Sequence, residues 1–196
     1  MPSRNVSKNS IKDSYYHLYT RGISKQNIFQ DESDYRFFLS LFERYLSNEI
    51  DSGISKNLQH KLDDSIEVLA YCLMPNHFHL LVYQIKENGI NMLMHEITTS
   101  YGRYFNSKYN RKEPLFESHY KASHIVSNNY LLRISRNIHR NPAGWIDYPY
   151  SSIKAYLYDD TSCWMNKKRI AGLYGSAVKY YNFLFDYKAK IDSSNN

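Results

Sequence analysis

Two apolar runs separated by a three-residue turn constrain the fold of this chain more than any other feature. Residues 66–73 are rich in strand-forming side chains, and residues 78–84 form a second such run. Between them, Met74-Pro75-Asn76 has the composition of a turn. Strands joined by so short a connection pair antiparallel. The sequence therefore predicts an antiparallel hairpin near the middle of the chain.

Strand and helix patterns alternate on both sides of this hairpin. Residues 15–20 alternate as a first strand, and residues 119–126 form a fourth. Apolar residues at three- and four-residue spacing predict helices over 37–46 (capped by Asp31, Ser33 or Asp34), 90–105 (capped by Asn88) and 130–140 (starting at Ser127, Asn128 or Asn129). This order predicts an α+β fold, a mainly antiparallel sheet with helices packed on one face.

Length and composition limit the domain organisation. A chain of 196 residues with 42% hydrophobic residues supports one core, and two cysteines are too few for a disulfide framework. We expect an N-terminal arm (1–14), a main domain (15–158) with a surface insertion (48–65), and a C-terminal helical tail (159–196). Because no apolar stretch resembles a membrane span or signal peptide, we expect a cytoplasmic protein.

The charge balance and the aromatic content favour a polyanionic partner. Lys and Arg number 25 against 19 Asp and Glu, and the chain contains 20 Tyr and 9 Phe. Cations bind phosphates, and aromatic rings stack on unpaired bases. This composition is compatible with binding to single-stranded nucleic acid, although tyrosine is also an ordinary core residue.

His77-Phe78-His79 begins the second strand of the hairpin. Successive strand side chains point to opposite faces, so the two histidines share one face about 6 to 7 Å apart, while Phe78 faces the core. Two imidazoles placed in this way can hold one metal ion. In isolation, the same pattern is also typical of half-buried strand histidines.

Five segments together resemble one family, the IS200-like transposases with a His-x-His (HUH) pair and a single tyrosine, in particular the branch of REP-associated tyrosine transposases. They span roughly residues 15–158 and occur in the order of the family. The segments are Tyr16-His17-Leu18-Tyr19-Thr20-Arg21-Gly22, Met74-Pro75-Asn76-His77-Phe78-His79-Leu80-Leu81, Tyr101-Gly102-Arg103-Tyr104-Phe105-Asn106, Pro114-Leu115-Phe116-Glu117-Ser118-His119-Tyr120-Lys121-Ala122 and Asn137-Ile138-His139-Arg140-Asn141-Pro142.

The resemblance implies a ferredoxin-like fold, commonly dimeric, that cleaves and rejoins single-stranded DNA beside a hairpin. In such enzymes a helix-borne tyrosine attacks the scissile phosphate to give a 5′-phosphotyrosine, with a divalent ion held by the histidine pair. The family usually uses Mg²⁺, and two imidazoles with an amide would also suit Mn²⁺.

Carried onto this chain, the resemblance makes His77 and His79 metal ligands and Asn141 the third ligand. A helix C-cap before Pro142 is a compatible alternative for Asn141. We expect His17, His119, His124 and His139 to lie outside the ligand set. The expected DNA-binding residues are Arg4, Arg21, Arg103, Tyr120, Lys121, Arg136 and Arg140.

Asn137 departs from the family, because it occupies the position of the nucleophilic tyrosine. An amide cannot form a phosphotyrosyl bond, so we expect this chain to be deficient in cleavage. Three explanations remain open: an engineered substitution that traps DNA, a natural variant kept as a domesticated hairpin-DNA-binding regulator, and replacement by another hydroxyl, such as that of Tyr120 or Tyr130. A metal hydrolase that activates water is a further alternative.

Overall fold

The computed structural model describes residues 11–47, 61–117 and 119–186. Its strands are β1 (Ser14–Arg21), β2 (Ile66–Met74), β3 (His77–Gln84) and β4 (Lys121–Ile125). Its α-helices are α1 (Glu32–Leu46), α2 (Gly89–Lys108), α3 (Asn128–His139), α4 (Ile153–Leu157), α5 (Lys168–Tyr174) and α6 (Ala177–Phe185), and a short 3₁₀ turn (Ile23–Lys25) follows β1. The strands form one antiparallel sheet in the order β2-β3-β1-β4. This is the predicted α+β, ferredoxin-like arrangement.

One face of the sheet is covered by α1 and α2. The predicted alternation of β1 is confirmed, since Tyr16, Leu18 and Thr20 are buried while their neighbours are partly exposed. Phe78 on β3 faces the same side, and its ring lies 4.9 Å from that of Phe38 in α1. These side chains form the main hydrophobic core.

The helix α3 covers the opposite face of the sheet. It contacts β2 and β3, and the chain just beyond it reaches His77, whose side chain points away from the Phe78 face. The expectation that the helices pack on one face is therefore wrong. An apolar stripe predicts that a helix packs against something, but it does not specify which face of the sheet.

Helix capping follows the sequence only in part. Asp31, one of the three residues predicted for the cap of α1, forms a capping box with Asp34. Ser127 caps α3 as predicted. Asn88 is the N-cap residue of α2 but is left-handed (φ 64°) and makes no capping hydrogen bond with its side chain. Instead, the side chain of Gln84 accepts the backbone N–H of Ile90 at 3.1 Å.

The segment after α3 lines the outer edge of β2. Leu73 N–H donates to the Tyr150 carbonyl at 2.9 Å, and Ser152 N–H donates to the Tyr71 carbonyl at 3.0 Å. The helices α5 and α6 follow, and α5 was not predicted from the sequence. The predicted arm and insertion fall mostly on 1–10 and 48–60, outside the described residues, so those boundaries stay predictions. Across 11–47, 61–117 and 119–186, no helix is long and apolar enough to span a membrane.

Candidate metal and DNA site

Strand register brings the histidine pair and two of the predicted cations to one face of the sheet. On β1, Arg21 lies directly opposite His77, and Tyr19 lies directly opposite His79. On the other side of β1, Lys121 of β4 lies opposite Tyr19. Directly opposed residues share a face, so these five side chains form two short rows beside α3.

His77 is held by the turn that precedes it. Its Nδ1 lies 2.6 Å from Oδ1 of Asn76, whose Nδ2 in turn donates to the Lys25 carbonyl at 3.4 Å. An amide oxygen can only accept, so Nδ1 of His77 carries the proton and Nε2 keeps its lone pair. His77 is therefore in the tautomer that can bind a cation through Nε2.

The loop after β1 anchors this turn. Gly22 N–H donates to the Asn76 carbonyl at 2.9 Å, and the Pro75 carbonyl accepts two further amides from the same loop. Ser24 and Lys25 are both left-handed, with φ of 52° and 60°, a conformation that costs energy in residues other than glycine. A Cβ at position 22 would overlap the Gln26 carbonyl oxygen, so the loop also needs glycine there.

His79 has a neighbour that sequence reasoning left outside the site. His17 Nε2 lies 2.9 Å from His79 Nδ1, with the ring centroids 5.0 Å apart and the ring planes inclined by 28°. The His77 and His79 rings are also 5.0 Å apart, edge to face. The alternation of β1 placed His17 on the same face as Tyr19, but only the register between β1 and β3 brings it to His79.

Asn141 reaches the histidines from the end of α3. Its Nδ2 lies 3.3 Å from Nε2 of His77. Arg140 is the C-cap residue, and Asn141 follows it with its backbone N–H on the Ile138 carbonyl at 3.3 Å. Asn137 lies one turn earlier, on the exposed side of α3. The structure therefore places Asn141 in contact with His77, while the side chain of Asn137 is exposed.

Burial keeps the three imidazoles neutral near pH 7. It lowers the pKa of His17 to about 4. Burial, with the neighbouring imidazoles, lowers the pKa of His79 to about 3. The pKa of His77 is lowered by burial and by the charge of Arg21. Neutral imidazole is the form that binds metal.

The side chains at this site could supply only part of the coordination shell of a cation. His77 and His79 supply imidazole nitrogens, and Asn141 supplies an amide. Within the residues that the structure describes, no group of three or more His, Cys, Asp or Glu side chains is arranged to hold a metal ion. An ion there would depend on water or on phosphate oxygens for its remaining ligands.

Arg21 and Lys121, which were predicted to contact DNA, flank this site. Arg21 forms an ion pair with Glu117 at 3.5 Å, and its side chain remains 42% exposed. Lys121 is exposed, and its Nζ lies 5.6 Å from the centre of the Tyr19 ring. Together with Thr20 and His119, these residues line a shallow groove.

Arg136 and Arg140 are turned toward the C-terminal helix. The guanidinium of Arg136 lies 4.4 Å from the centre of the Phe183 ring. Arg140 donates to the Leu184 carbonyl at 2.5 Å. Both side chains therefore contact α6 and connect it to α3, a role that the sequence did not predict. Their contact with DNA stays a prediction.

The remaining predicted DNA contacts lie elsewhere. Arg103 is exposed on α2, on the face of the sheet opposite the histidines, and Arg4 lies outside the described residues. Tyr120 is half-buried, and its hydroxyl donates to Oδ1 of Asn91 in α2. The hydroxyl of Tyr120 is therefore directed toward α2, and contact of Tyr120 with DNA stays a prediction.

Neither tyrosine considered as a replacement nucleophile is close to the site. The hydroxyl of Tyr120 is engaged by α2. Tyr130 lies in the first turn of α3, about 10 Å along the helix axis from position 137. The geometry does not favour the third explanation for Asn137.

Comparisons with known proteins agree with this architecture. The family model described as "Transposase IS200 like" matches residues 10–141, well over half of the chain. Among solved structures, a REP-associated tyrosine transposase bound to a REP hairpin aligns with a TM-score of 0.55 and 14% identity, over 85% of this chain and 92% of that chain.

A protein from Deinococcus radiodurans R1, provisionally assigned as a transposase, aligns with a TM-score of 0.42 and 16% identity, over 71% of this chain and 98% of that one. No curated protein matches the sequence. The likeness to the hairpin-bound transposase reflects a common fold, and the match over residues 10–141 extends to the sequence itself. This chain belongs to the IS200-like transposase family.

Proposed function

We propose that this protein binds hairpin-bearing, REP-like single-stranded DNA at the site of a metal-dependent strand transferase, and that Asn137 makes it deficient in cleavage. The observation that carries the proposal is the contact between Asn141 and His77. It joins the histidine pair on the sheet to the end of the helix in which family members carry their nucleophile.

The proposed ligands of the ion, Mg²⁺ or Mn²⁺, are His77, His79 and Asn141. When bound, the ion would neutralise charge on the scissile phosphate and stabilise the leaving 3′ oxygen. Asn76 keeps Nε2 of His77 unprotonated, and burial keeps both histidines neutral. The amide oxygen of Asn141 would add a donor without adding charge; in this structure Nδ2 of that amide is the atom that lies toward His77.

The chemistry at position 137 decides between cleavage and binding. In the family reaction, the tyrosine oxygen forms a bond to phosphorus, the bond from phosphorus to the 3′ oxygen breaks, and the phenolic proton ends on that oxygen. Asn137 has no hydroxyl to donate. We therefore expect a protein that holds its substrate in place and forms no covalent product.

Tyr19, Arg21 and Lys121 support a path for the single strand across the sheet. They lie on the same face as the histidine pair and extend the site away from α3. Cations beside an aromatic ring suit a chain of phosphates and unpaired bases. Homodimerisation is proposed from the family alone and can be measured by analytical ultracentrifugation.

Asn137 also favours a second function, that of a domesticated hairpin-binding regulator without turnover. Both functions require hairpin binding. They differ in whether the rest of the site still supports cleavage once a tyrosine is supplied, and this difference can be measured.

The test compares Asn137→Tyr with Asn137→Phe, which adds the same ring without a hydroxyl. Each protein is incubated with end-labelled hairpin DNA carrying a single-stranded flank, with Mg²⁺, with Mn²⁺ or with EDTA. We expect Asn137→Tyr to form a covalent adduct with the DNA, seen on a denaturing gel, in Mg²⁺ or Mn²⁺ but not in EDTA. Asn137→Phe should form no adduct under any of these conditions. The unmodified chain should retard the hairpin on a native gel and form no adduct.

Two results would contradict the proposal in different ways. If Asn137→Tyr binds DNA and metal but forms no adduct, the site is not a latent strand transferase, and the regulator remains. If the unmodified chain does not bind hairpin DNA, both functions are excluded.

A further inference from the structure

We infer that His17 is a positioning residue that fixes the tautomer and the ring orientation of His79. The inference rests on the proposed function in one respect, the role of His79 as a metal ligand. In this inference His17 acts only through its contact with His79.

Each of the two proposed ligand histidines has a hydrogen-bond partner at Nδ1. Nδ1 of His77 is occupied by Asn76 at 2.6 Å, and Nδ1 of His79 is occupied by His17 at 2.9 Å. In both cases Nε2 is the ring nitrogen proposed to bind the cation, and in this structure Nε2 of His77 faces Nδ2 of Asn141 at 3.3 Å. Histidines that bind metals commonly pass their other ring N–H to a partner of this kind.

The contact between His17 and His79 has two possible proton arrangements. If His17 donates from Nε2, then His79 carries its proton on Nε2 and cannot bind a cation there. If His79 donates from Nδ1 to the lone pair of His17, its Nε2 is free. The second arrangement is the one that a metal site requires, and it needs an acceptor at the position of His17.

Packing restricts both rings. The Tyr19 ring lies 5.4 Å from that of His17 and 5.9 Å from that of His79, measured between centroids. His17 and His79 are diagonal neighbours on adjacent strands, since His79 lies opposite Tyr19. The hydrogen bond is therefore set by the sheet itself, and not by a mobile loop.

The test uses metal-free protein labelled with ¹⁵N at histidine. Long-range ¹H–¹⁵N spectra report which ring nitrogen is protonated. We expect His79 to carry its proton on Nδ1 in the unmodified chain and in His17→Gln, whose side-chain oxygen can accept. In His17→Phe, which offers no acceptor, this preference should be lost.

The same variants are then titrated with Mn²⁺. We expect His17→Phe to bind at least about 10-fold more weakly, and His17→Gln to stay within a few-fold of the unmodified chain. His95→Gln, which removes an exposed imidazole on α2, is the matched control and should not change either readout.

Unchanged His79 tautomer and Mn²⁺ affinity in His17→Phe would overturn the inference. Equal losses in His17→Gln and His17→Phe would also overturn it, because they would show that the imidazole itself, and not an acceptor, is required. The spectra need neither DNA nor metal. If the unmodified chain shows the expected tautomer but binds no Mn²⁺, the proposed metal site fails while the contact to His17 stands.

Discussion

Replacing His139 by asparagine should remove a defined part of the acid sensitivity of this protein. His139 is fully buried near the end of α3, with Nδ1 2.5 Å from the Tyr180 hydroxyl and Nε2 2.8 Å from the Ser152 hydroxyl. Burial lowers its pKa to about 3. In the unfolded chain, a histidine has a pKa near 6.5.

The sign of the effect follows from proton uptake. Below pH 6.5 the unfolded chain binds a proton at this histidine, and the folded protein does not until the pH approaches 3. The free energy of unfolding therefore falls as the pH is lowered through this window. For one such group, linkage gives a loss of about 2 kcal/mol between pH 7 and pH 5.

The assay is urea denaturation at pH 7 and at pH 5, followed by far-UV circular dichroism. His139→Asn should be less stable at pH 7, because it loses hydrogen bonds and packing, but its loss on going to pH 5 should be about 2 kcal/mol smaller than that of the unmodified chain. The other buried histidines are common to both proteins and cancel. His95→Asn serves as the control. If His139→Asn loses as much free energy of unfolding between pH 7 and pH 5 as the unmodified chain, the conclusion that His139 is buried in its neutral form is refuted.

Three further predictions concern the site and the core. Asn76→Ala should weaken Mn²⁺ binding by about 10-fold or more in a calorimetric titration, because the His77 tautomer loses its acceptor; an unchanged affinity would contradict this assignment. Lys121→Gln should reduce the slope of log affinity against log salt by roughly 0.7 for single-stranded DNA, measured by fluorescence anisotropy, and an unaltered slope would exclude a phosphate contact. Phe78→Ala should lower the free energy of unfolding by about 3 to 5 kcal/mol, since its fully buried ring packs against Phe38. A loss below about 1 kcal/mol in urea denaturation would mean that the core collapses around the gap.

Local patterns predicted the elements of the fold well. Each predicted strand and each predicted helix of the main domain is present in the structure, with ends shifted by a few residues. The register of the strands, however, depends on pairing between distant segments. For this reason the sequence placed His77 and His79 on one face but could not bring His17 to them.

Features that depend on tertiary contacts were missed or misplaced. The position of α3 on the second face of the sheet, the cap of α2 supplied by Gln84, and α5 each depend on packing partners far away in the chain. Arg136 and Arg140 were predicted to contact DNA because they flank the site helix. The sequence did not show that both side chains also contact a second helix, and their contact with DNA stays a prediction.

The strained loop after β1 has a consequence for how genetic data on this protein should be read. Ser24 and Lys25 adopt an unfavourable left-handed backbone conformation, and there is no room for a side chain at Gly22. This loop nevertheless positions Asn76, which hydrogen-bonds to His77. A mutational screen scored on cation affinity should therefore recover substitutions at position 22, although Gly22 is not one of the proposed ligands. Substitutions found there would reflect a change in the position of Asn76, and the substituted residue should not be interpreted as a new metal ligand.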